Sequence, residues 1–307
     1  MRTYLDCIPC FYSQALKAAR LSGADEAIQR EVLNQLSELI PNFSLNTTPA
    51  EMGKRIYNMI SKVTGKKDPF KEMKEESNKM ALRVYPQLRM KMKEAQNPLL
   101  MAVQLAIAGN IIDYGVLDND AISEEINRII QDDFDYQAVD IYSYFEYTHF
   151  YQQLLDAESI LYLADNSGEV VFDRILIEQL VEKYHKNIIY AVKGKPILND
   201  ALVDDAIFCG INQFAKIISC GADSPGVVLK YCSPEFLRIF NETEMIISKG
   251  QGNYEALSDI TVPIYFLLKV KCPVVARHAG AQIGEIMLKR QVEKENIASA
   301  VVEEKEE

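Results

Sequence analysis

The spacing of apolar residues changes once along the chain, near Ser159, and that change limits the possible folds more than any other feature of the sequence. Before it, apolar residues recur at helical intervals. Between Ile8 and Gly23, residues Phe11, Ala15, Ala18 and Ala19 share one face, and Gly23 is a natural stop. A second helix is expected from Ala24 to Ile40, ending before Pro41. A third has Thr48 as N-cap and Pro49 in its first position, and runs to about Val63. Residues 68–93 read as a locally basic helix, and Asn97-Pro98 opens an apolar one that Gly115 closes. After Ser159 come short β-branched and aromatic runs: SILYLAD, NIIYAV, AKIISC, EMIISKG and PIYFLLKVK. These read as fully buried strands, and the segments between them are long enough for crossovers. Strands alternating with crossovers pair in parallel in an open, doubly wound sheet. A closing helix is expected from Gly280 to about Arg290, ahead of a frayed charged tail. Residues 1–157 are thus expected to form a helical subdomain and residues 158–307 an α/β core.

Charge and composition narrow the function. The 44 acidic residues outweigh 33 basic ones, and the resulting net charge of −11 disfavours a reader of nucleic-acid phosphates. Most of the excess lies between Leu117 and Glu158, where Arg128 stands alone against the acids. The tyrosines and phenylalanines of that stretch suit the buried face of an amphipathic helix, or else an aromatic wall for a substrate. No apolar run approaches the roughly 20 residues of a membrane span, and the first residues lack a signal-peptide pattern. A soluble cytoplasmic protein without a membrane partner is expected. Six cysteines are too few for a disulfide scaffold. Cys209, Cys220, Cys232 and Cys272 read as small buried hydrophobes. The Cys7–Cys10 pair fits packing, metal binding or redox chemistry, and a lone pair supplies only half of a structural zinc site.

In an open α/β sheet, ligands sit at the carboxyl ends of the strands. Every proposed strand here ends in a polar loop. The first leads into Asp165-Asn166-Ser167-Gly168-Glu169, and the second into Lys193-Gly194-Lys195 and then Asn199-Asp200. The third leads into Asp223-Ser224-Pro225-Gly226, the fourth into Lys249-Gly250-Gln251-Gly252-Asn253-Tyr254, and the fifth into Lys271-Cys272. Asp165, Asn166 and Asp200 are hard oxygen donors separated by about the 30 residues of one strand–helix–strand unit. If their strands are neighbours, roughly 4.8 Å apart, both aspartates reach one ion, and oxygen ligands suit Mg²⁺ or Mn²⁺. Lys249, Lys271 and the helix start after Gly168 add positive potential for a phosphate. The competing reading makes Asp165-Asn166-Ser167 and Asn199-Asp200 helix caps and Lys249-Gly250 an ordinary turn. Spacing alone supports a ligand site for a metal and an anion.

With Ala108-Gly109-Asn110-Ile111-Ile112-Asp113-Tyr114-Gly115 added to these motifs, the sequence resembles the metal-dependent damage-control phosphatases over nearly its whole length. The early Cys-Ile-Pro-Cys resembles the prokaryotic subfamily. The resemblance implies an α/β fold, a three-layer α/β/α core with a mainly parallel sheet, beside an all-helical N-terminal region. It implies a divalent ion (Mn²⁺, Ni²⁺, Co²⁺ or Mg²⁺) held by Asp165, Asn166 and Asp200, with Asp165, Asp200 and Lys271 in catalytic roles. Glu169 and Asn253 match substrate contacts, and Asn110 and Asp113 belong to a motif that lines the site. Lys249, Gly252, Tyr254 and Ser224 complete the expected substrate-binding set. The expected activity is hydrolysis of small phosphorylated metabolites, sugar phosphates or damaged derivatives of them, by Asp165 or by a metal-activated water. A non-catalytic phosphometabolite-binding protein is one alternative. An S-adenosylmethionine-dependent methyltransferase is another, but it needs a glycine-rich first loop and an acid ending the second strand, where this chain has Gly168 alone and Lys193.

Overall fold

The computed structural model describes residues 1–110 and 144–291. Asp113, the expected helix end at Gly115, most of the acidic aromatic stretch and the charged tail lie outside the described residues.

The N-terminal helices form where the sequence places them. They are α1 (Cys7–Leu21), α2 (Glu26–Leu39), α3 (Pro49–Thr64), α4 (Lys71–Glu94) and α5 (Pro98–Gly109). Side-chain caps set three of their starts: Asp25 accepts from the Ile28 amide, Thr48 from Glu51 and Asn97 from Leu100. Phe11, Val32, Leu36, Met52 and Ile56 give α1–α3 a core of their own. By contrast, α5 is buried on every side, which explains its continuous apolar sequence.

Beyond α6 (Tyr147–Asp156) the chain alternates strand and helix: β1 (Ser159–Leu163), α7 (Glu169–Tyr184), β2 (Asn187–Val192), α8 (Val203–Phe208), β3 (Lys216–Ser219), α9 (Pro234–Glu242), β4 (Met245–Lys249), α10 (Gln251–Leu257), β5 (Ile264–Lys269), α11 (Pro273–Ala279) and β6 (Ile286–Gln291). The sheet order is β3-β2-β1-β4-β5-β6, parallel except for β6. Alternate strand residues divide between two cores. Ile160, Tyr162, Ile247 and Tyr265 pack with α5 and α7 on one face, while Leu161, Leu163, Ile246 and Phe266 pack with α9, α10 and α11 on the other. Burial on both faces gives the near-continuous apolar strands seen in the sequence. The architecture is therefore a three-layer α/β/α sandwich with helices α1–α3 beside it.

Two expectations about the sheet fail. Gly280 to Arg290 does not form a closing helix; β6 runs antiparallel to β5, with Leu288 opposite Leu267. Met287 and Leu288 are buried in opposite cores, so this short run carries no alternation to separate strand from helix. β3 is not fully buried either, because it lies at the edge of the sheet and leaves both its ends exposed. Among the described residues no helix is long and apolar enough to cross a membrane. The chain runs outward from β1 in one direction through β2 and β3, and in the other through β4 and β5. The crevice at this reversal, above the carboxyl ends of β1 and β4, is where such sheets bind ligands.

Candidate functional site

Backbone pairing builds the site before any side chain is considered. Residues 199–201 thread between the ends of β1 and β2. The Ala201 amide donates to the Asp165 carbonyl at 2.8 Å, Ser167 to Asn199 at 2.9 Å and Lys193 to Ala201 at 3.1 Å. Asn166 and Asp200 form an isolated antiparallel bridge. Two residues 34 positions apart are thereby locked side by side. Neither capping explanation survives. The N-cap of α7 is Gly168, which makes no side-chain cap, and that of α8 is Leu202. Gly168 takes φ +82°, and its amide donates to Asn78 Oδ1 at 2.7 Å, tying the turn to α4.

The side chains form one connected cluster. Asn110 Nδ2 donates to Asp165 Oδ2 at 3.1 Å and to Glu169 Oε1 at 2.6 Å. Asn166 Nδ2 reaches the same two oxygens at 2.8 and 2.7 Å. Lys249 Nζ lies 3.4 Å from Glu169 Oε2 and 2.6 Å from Asp173 Oδ1, and Tyr162 and Tyr190 also donate to Asp173 at 2.8 Å. Lys193 Nζ is 3.5 Å from Asp200 Oδ2 and donates to Asn253 Oδ1 at 3.1 Å. Among the described residues two buried acceptors, Asp200 Oδ2 and Asn110 Oδ1, have no hydrogen-bond partner.

Charge is the cluster's most informative property. Asp165, Glu169, Asp173 and Asp200 are buried, and so are Lys193 and Lys249. Fully ionised, the four carboxyl groups would exceed the two buried ammonium groups by two negative charges. Burial raises the Asp165 carboxyl well above its ordinary range, and repulsion from Glu169 and Asp200 adds to this against Lys193 and Lys271. Burial likewise lifts Asp200 to about 6 against the pull of Lys193. Desolvation opposes the charge on Lys249, yet Asp173 and Glu169 override it and hold that ammonium above its usual value. Buried charge without a partner is costly, so the cluster suits a cation and is poorly suited to standing empty. Among the described residues no three His, Cys, Asp or Glu side chains stand close enough to hold an ion unaided. The expected set uses the Asn166 amide as its third donor, and the all-oxygen chemistry fits a hard divalent ion.

A cavity of about 250 Å³ opens over the cluster, bordered by α1, α3, the 225–226 loop and the start of α10. Asn110, Asp165, Asn166, Asp200, Gly252 and Lys271 line it, and Lys271 stands exposed at the rim. The other expected contacts sit behind this wall. Asn253 is buried with all four of its hydrogen-bonding positions filled, by the carbonyls of Ala164 and Lys249, the Val227 amide and Lys193. Lys249 is enclosed by Asp173 and Glu169. Tyr254 packs on Phe266, with its hydroxyl 2.8 Å from His278. Ser224 Oγ is buried and donates to the Gly226 carbonyl. These four side chains hold the strand ends and the nearby core in place and do not face the cavity; Glu169 meets it only through Asn110 and Asn166.

Sequence reasoning placed Lys193 at a strand end but gave it no role in the site, and passed over Asp173 and Asn78. Lys193-Gly194 repeats the Lys249-Gly250 pattern at a second strand end, and Asp173 is an acid four residues after Glu169 in an otherwise apolar turn; both signals were visible. Asn78 carries no local signal, because its partners Gly168 and Asp205 are distant in sequence.

Cys7 and Cys10, in the first turn of α1, and Cys272, the N-cap of α11, line the same cavity as free thiols. Burial raises Cys7 and Cys10, the opposite of the lowered pKa that activates a redox cysteine at a helix start. Half-buried Glu255 lines the cavity too, and burial lifts its carboxyl to about 7 despite a hydrogen bond from Gln251. An acid raised on folding binds more protons in the native state, so stability declines as pH climbs from its unfolded pKa near 4.3 to about 7. Glu255→Gln is expected to remove this slope. The melting temperature of the variant relative to the parent should rise across that window and level off above it. A difference that stays constant from pH 4 to pH 8 would refute the assignment.

Comparison with known proteins identifies the family and supports the fold. Residues 3–287 match the family model described as the damage-control phosphatase ARMT1-like domain. An uncharacterized protein of Methanocaldococcus jannaschii is 36% identical, with 93% of this chain and 94% of that protein covered. A damage-control phosphatase of Pyrococcus horikoshii is 35% identical over 94% of this chain and 98% of its own length. The crystal structure of a DUF89 family protein from Pyrococcus horikoshii superimposes with a TM-score of 0.83 at 34% identity, covering 95% of this chain and 99% of the other. The chain belongs to the damage-control phosphatase family with the ARMT1-like domain.

Proposed function

We propose that this protein is a divalent-metal-dependent phosphatase acting on small phosphorylated metabolites, sugar phosphates or damaged derivatives of them, with the ion held by Asp165, Asn166 and Asp200. The observation that carries this reading is the excess of four buried carboxyl groups over two buried ammonium groups at the sheet's switch point. Asp200 Oδ2 and Asn110 Oδ1, which accept no hydrogen bond from the described residues, add two acceptors in the same place. A bound Mn²⁺, Ni²⁺, Co²⁺ or Mg²⁺ would polarise the phosphoryl oxygens.

The chain's own groups supply the rest. Asn110 and Asn166 fix the Asp165 carboxylate through its Oδ2, leaving Oδ1 for the ion or the phosphoryl group. Lys193 is pinned by Asn253 next to Asp200, where its charge opposes that of the carboxylate. Lys271, at the rim, balances negative charge that develops on the phosphoryl oxygens. The cavity has the size of a small phosphate ester, and the net charge of −11 disfavours nucleic acid as a partner.

Chelator-treated protein should release no phosphate from a generic phosphate ester or a panel of sugar phosphates. Added Mn²⁺, Ni²⁺, Co²⁺ or Mg²⁺ should restore release, and each ion that does so should raise the melting temperature without substrate. Phosphate release that survives chelation, or no melting shift with any of the four ions, overturns the proposal.

A further inference from the structure

A second concavity, of about 210 Å³, lies next to the active-site cavity. The two share walls. Gly53 of α3 borders the first and Tyr57 of α3 the second, one helical turn on, about 6 Å along the axis. The chain from Lys195 to Asp200 runs from one to the other, and Leu198 faces both.

The charge of this groove is opposite to that of the molecule. Its acids are already neutralised, Asp68 by Lys74 at 2.8 Å and Asp223 by Lys54. Lys66, Lys67 and Lys195 line it without any ion pair among the described residues. On a chain of net charge −11, three unmatched ammonium groups around one concavity are a local positive field. Lys54 registers that field: burial and the neighbouring Lys195 push its pKa down. A second observation points to a ligand. Among the described residues the buried Tyr57 hydroxyl makes no hydrogen bond; Tyr57 borders the groove, and Asp200 and Cys10 of the first cavity act on its hydroxyl, which places it at the wall between the two. A buried hydroxyl without a partner is uncommon and suits the edge of a ligand site.

We propose that this groove binds a second phosphate of the substrate, so that preferred substrates carry phosphates at both ends of a short carbon skeleton. The inference rests on the phosphatase reading for its first phosphate; the groove and its lysines stand apart from the proposed metal ligands. Lys66, Lys67 and Lys195 would meet the distal phosphate as point charges, and the Tyr57 hydroxyl would donate to one of its oxygens or to the bridging ester.

The test compares a hexose monophosphate with the corresponding hexose bisphosphate on the parent protein, on a Lys66→Ala/Lys67→Ala/Lys195→Ala variant and on Tyr57→Phe. The parent should favour the bisphosphate in kcat/KM, and the triple variant should lower that ratio roughly tenfold, as expected for three partly exposed charge contacts. Rising salt should erode the parent's preference. Tyr57→Phe should lower the ratio severalfold. Calorimetric titration of both sugars makes the outcome independent of turnover: the triple variant should weaken bisphosphate binding about tenfold more than monophosphate binding. If neither sugar is hydrolysed but this difference in binding persists, the phosphatase reading fails and the groove assignment stands. Equal effects on the two sugars, in rate and in binding, overturn the groove.

Discussion

Asp165→Asn is expected to yield a folded protein whose phosphatase activity is lower by roughly a thousandfold or more, the usual scale for losing a charge that holds or stabilises the reacting centre. The substitution is isosteric, and a carbonyl oxygen remains to accept the hydrogen bonds that Asn110 and Asn166 direct at Oδ2. What disappears is a negative charge that burial, Glu169 and Asp200 all disfavour. In the absence of metal, the melting temperature should therefore stay level or rise. Added ion separates function from folding: a ligand at 100 times its dissociation constant stabilises the native state by about 2.7 kcal/mol, and this gain should vanish in the variant. The combination of unimpaired metal-free stability, no metal-induced shift and lost activity is hard to produce by misfolding. Full activity in a normally folded Asp165→Asn protein would remove this carboxylate from the site.

The parts of the site readable from sequence are those that topology delivers. Asp165, Asn166 and Asp200 stand at the ends of two strands whose apolar runs announce themselves, and parallel pairing of β1 with β2 brings those ends together. Asn166 and Asp200 meet through a backbone bridge that local pattern does not show; strand order brings the two loops together, and the return of residues 199–201 between the strand ends completes the approach. The direction of each side chain was not readable. Lys249, Asn253 and Tyr254 belong to the same polar segment as Gln251 and Gly252, yet only these last two face the cavity. A strand-end loop that enters a short helix sends successive residues to different sides, and a motif read as letters gives all of them one role. The other hidden contributions come from distant chain. Asn78 of α4 anchors the Gly168 turn, and Phe172 of α7 approaches Gly109 so closely that a Cβ there would meet it at 2.8 Å. Helices α4 and α5 are integral to the site's support, a relation that periodicity within each helix cannot express. The final strand was missed for a related reason: two-sided burial erased the alternation that identifies strands.

Gly250→Ala should be among the most damaging single-methyl additions in the molecule. Gly250 lies where β4 ends beside β1, and its backbone takes φ +79° and ψ 164°, a region essentially reserved for glycine. Strain of that kind costs about 1–3 kcal/mol before any contact is considered. The contact is more severe still: a Cβ at this position would lie 1.8 Å from Asp165 Oδ2 and 2.1 Å from its Cγ. Asp165 cannot simply rotate aside, because Asn110 and Asn166 hold Oδ2, its own carbonyl is paired with Ala201, and Ala164 and Ser167 on either side are paired with Ala191 and Asn199. Either the carboxylate or the end of β4 must move, and each outcome breaks up the proposed metal donors. The expected result is a loss of activity as deep as that of Asp165→Asn, together with a lower melting temperature, which Asp165→Asn should not show. Gly280→Ala is the matched control. It has φ +73° and nothing within 4 Å of the added methyl, so it should cost only about 1 kcal/mol and leave activity intact. Parent-like activity in Gly250→Ala would mean that Asp165 does not act from the position it holds against β4, and the assignment of the ion to this carboxylate would fall with it.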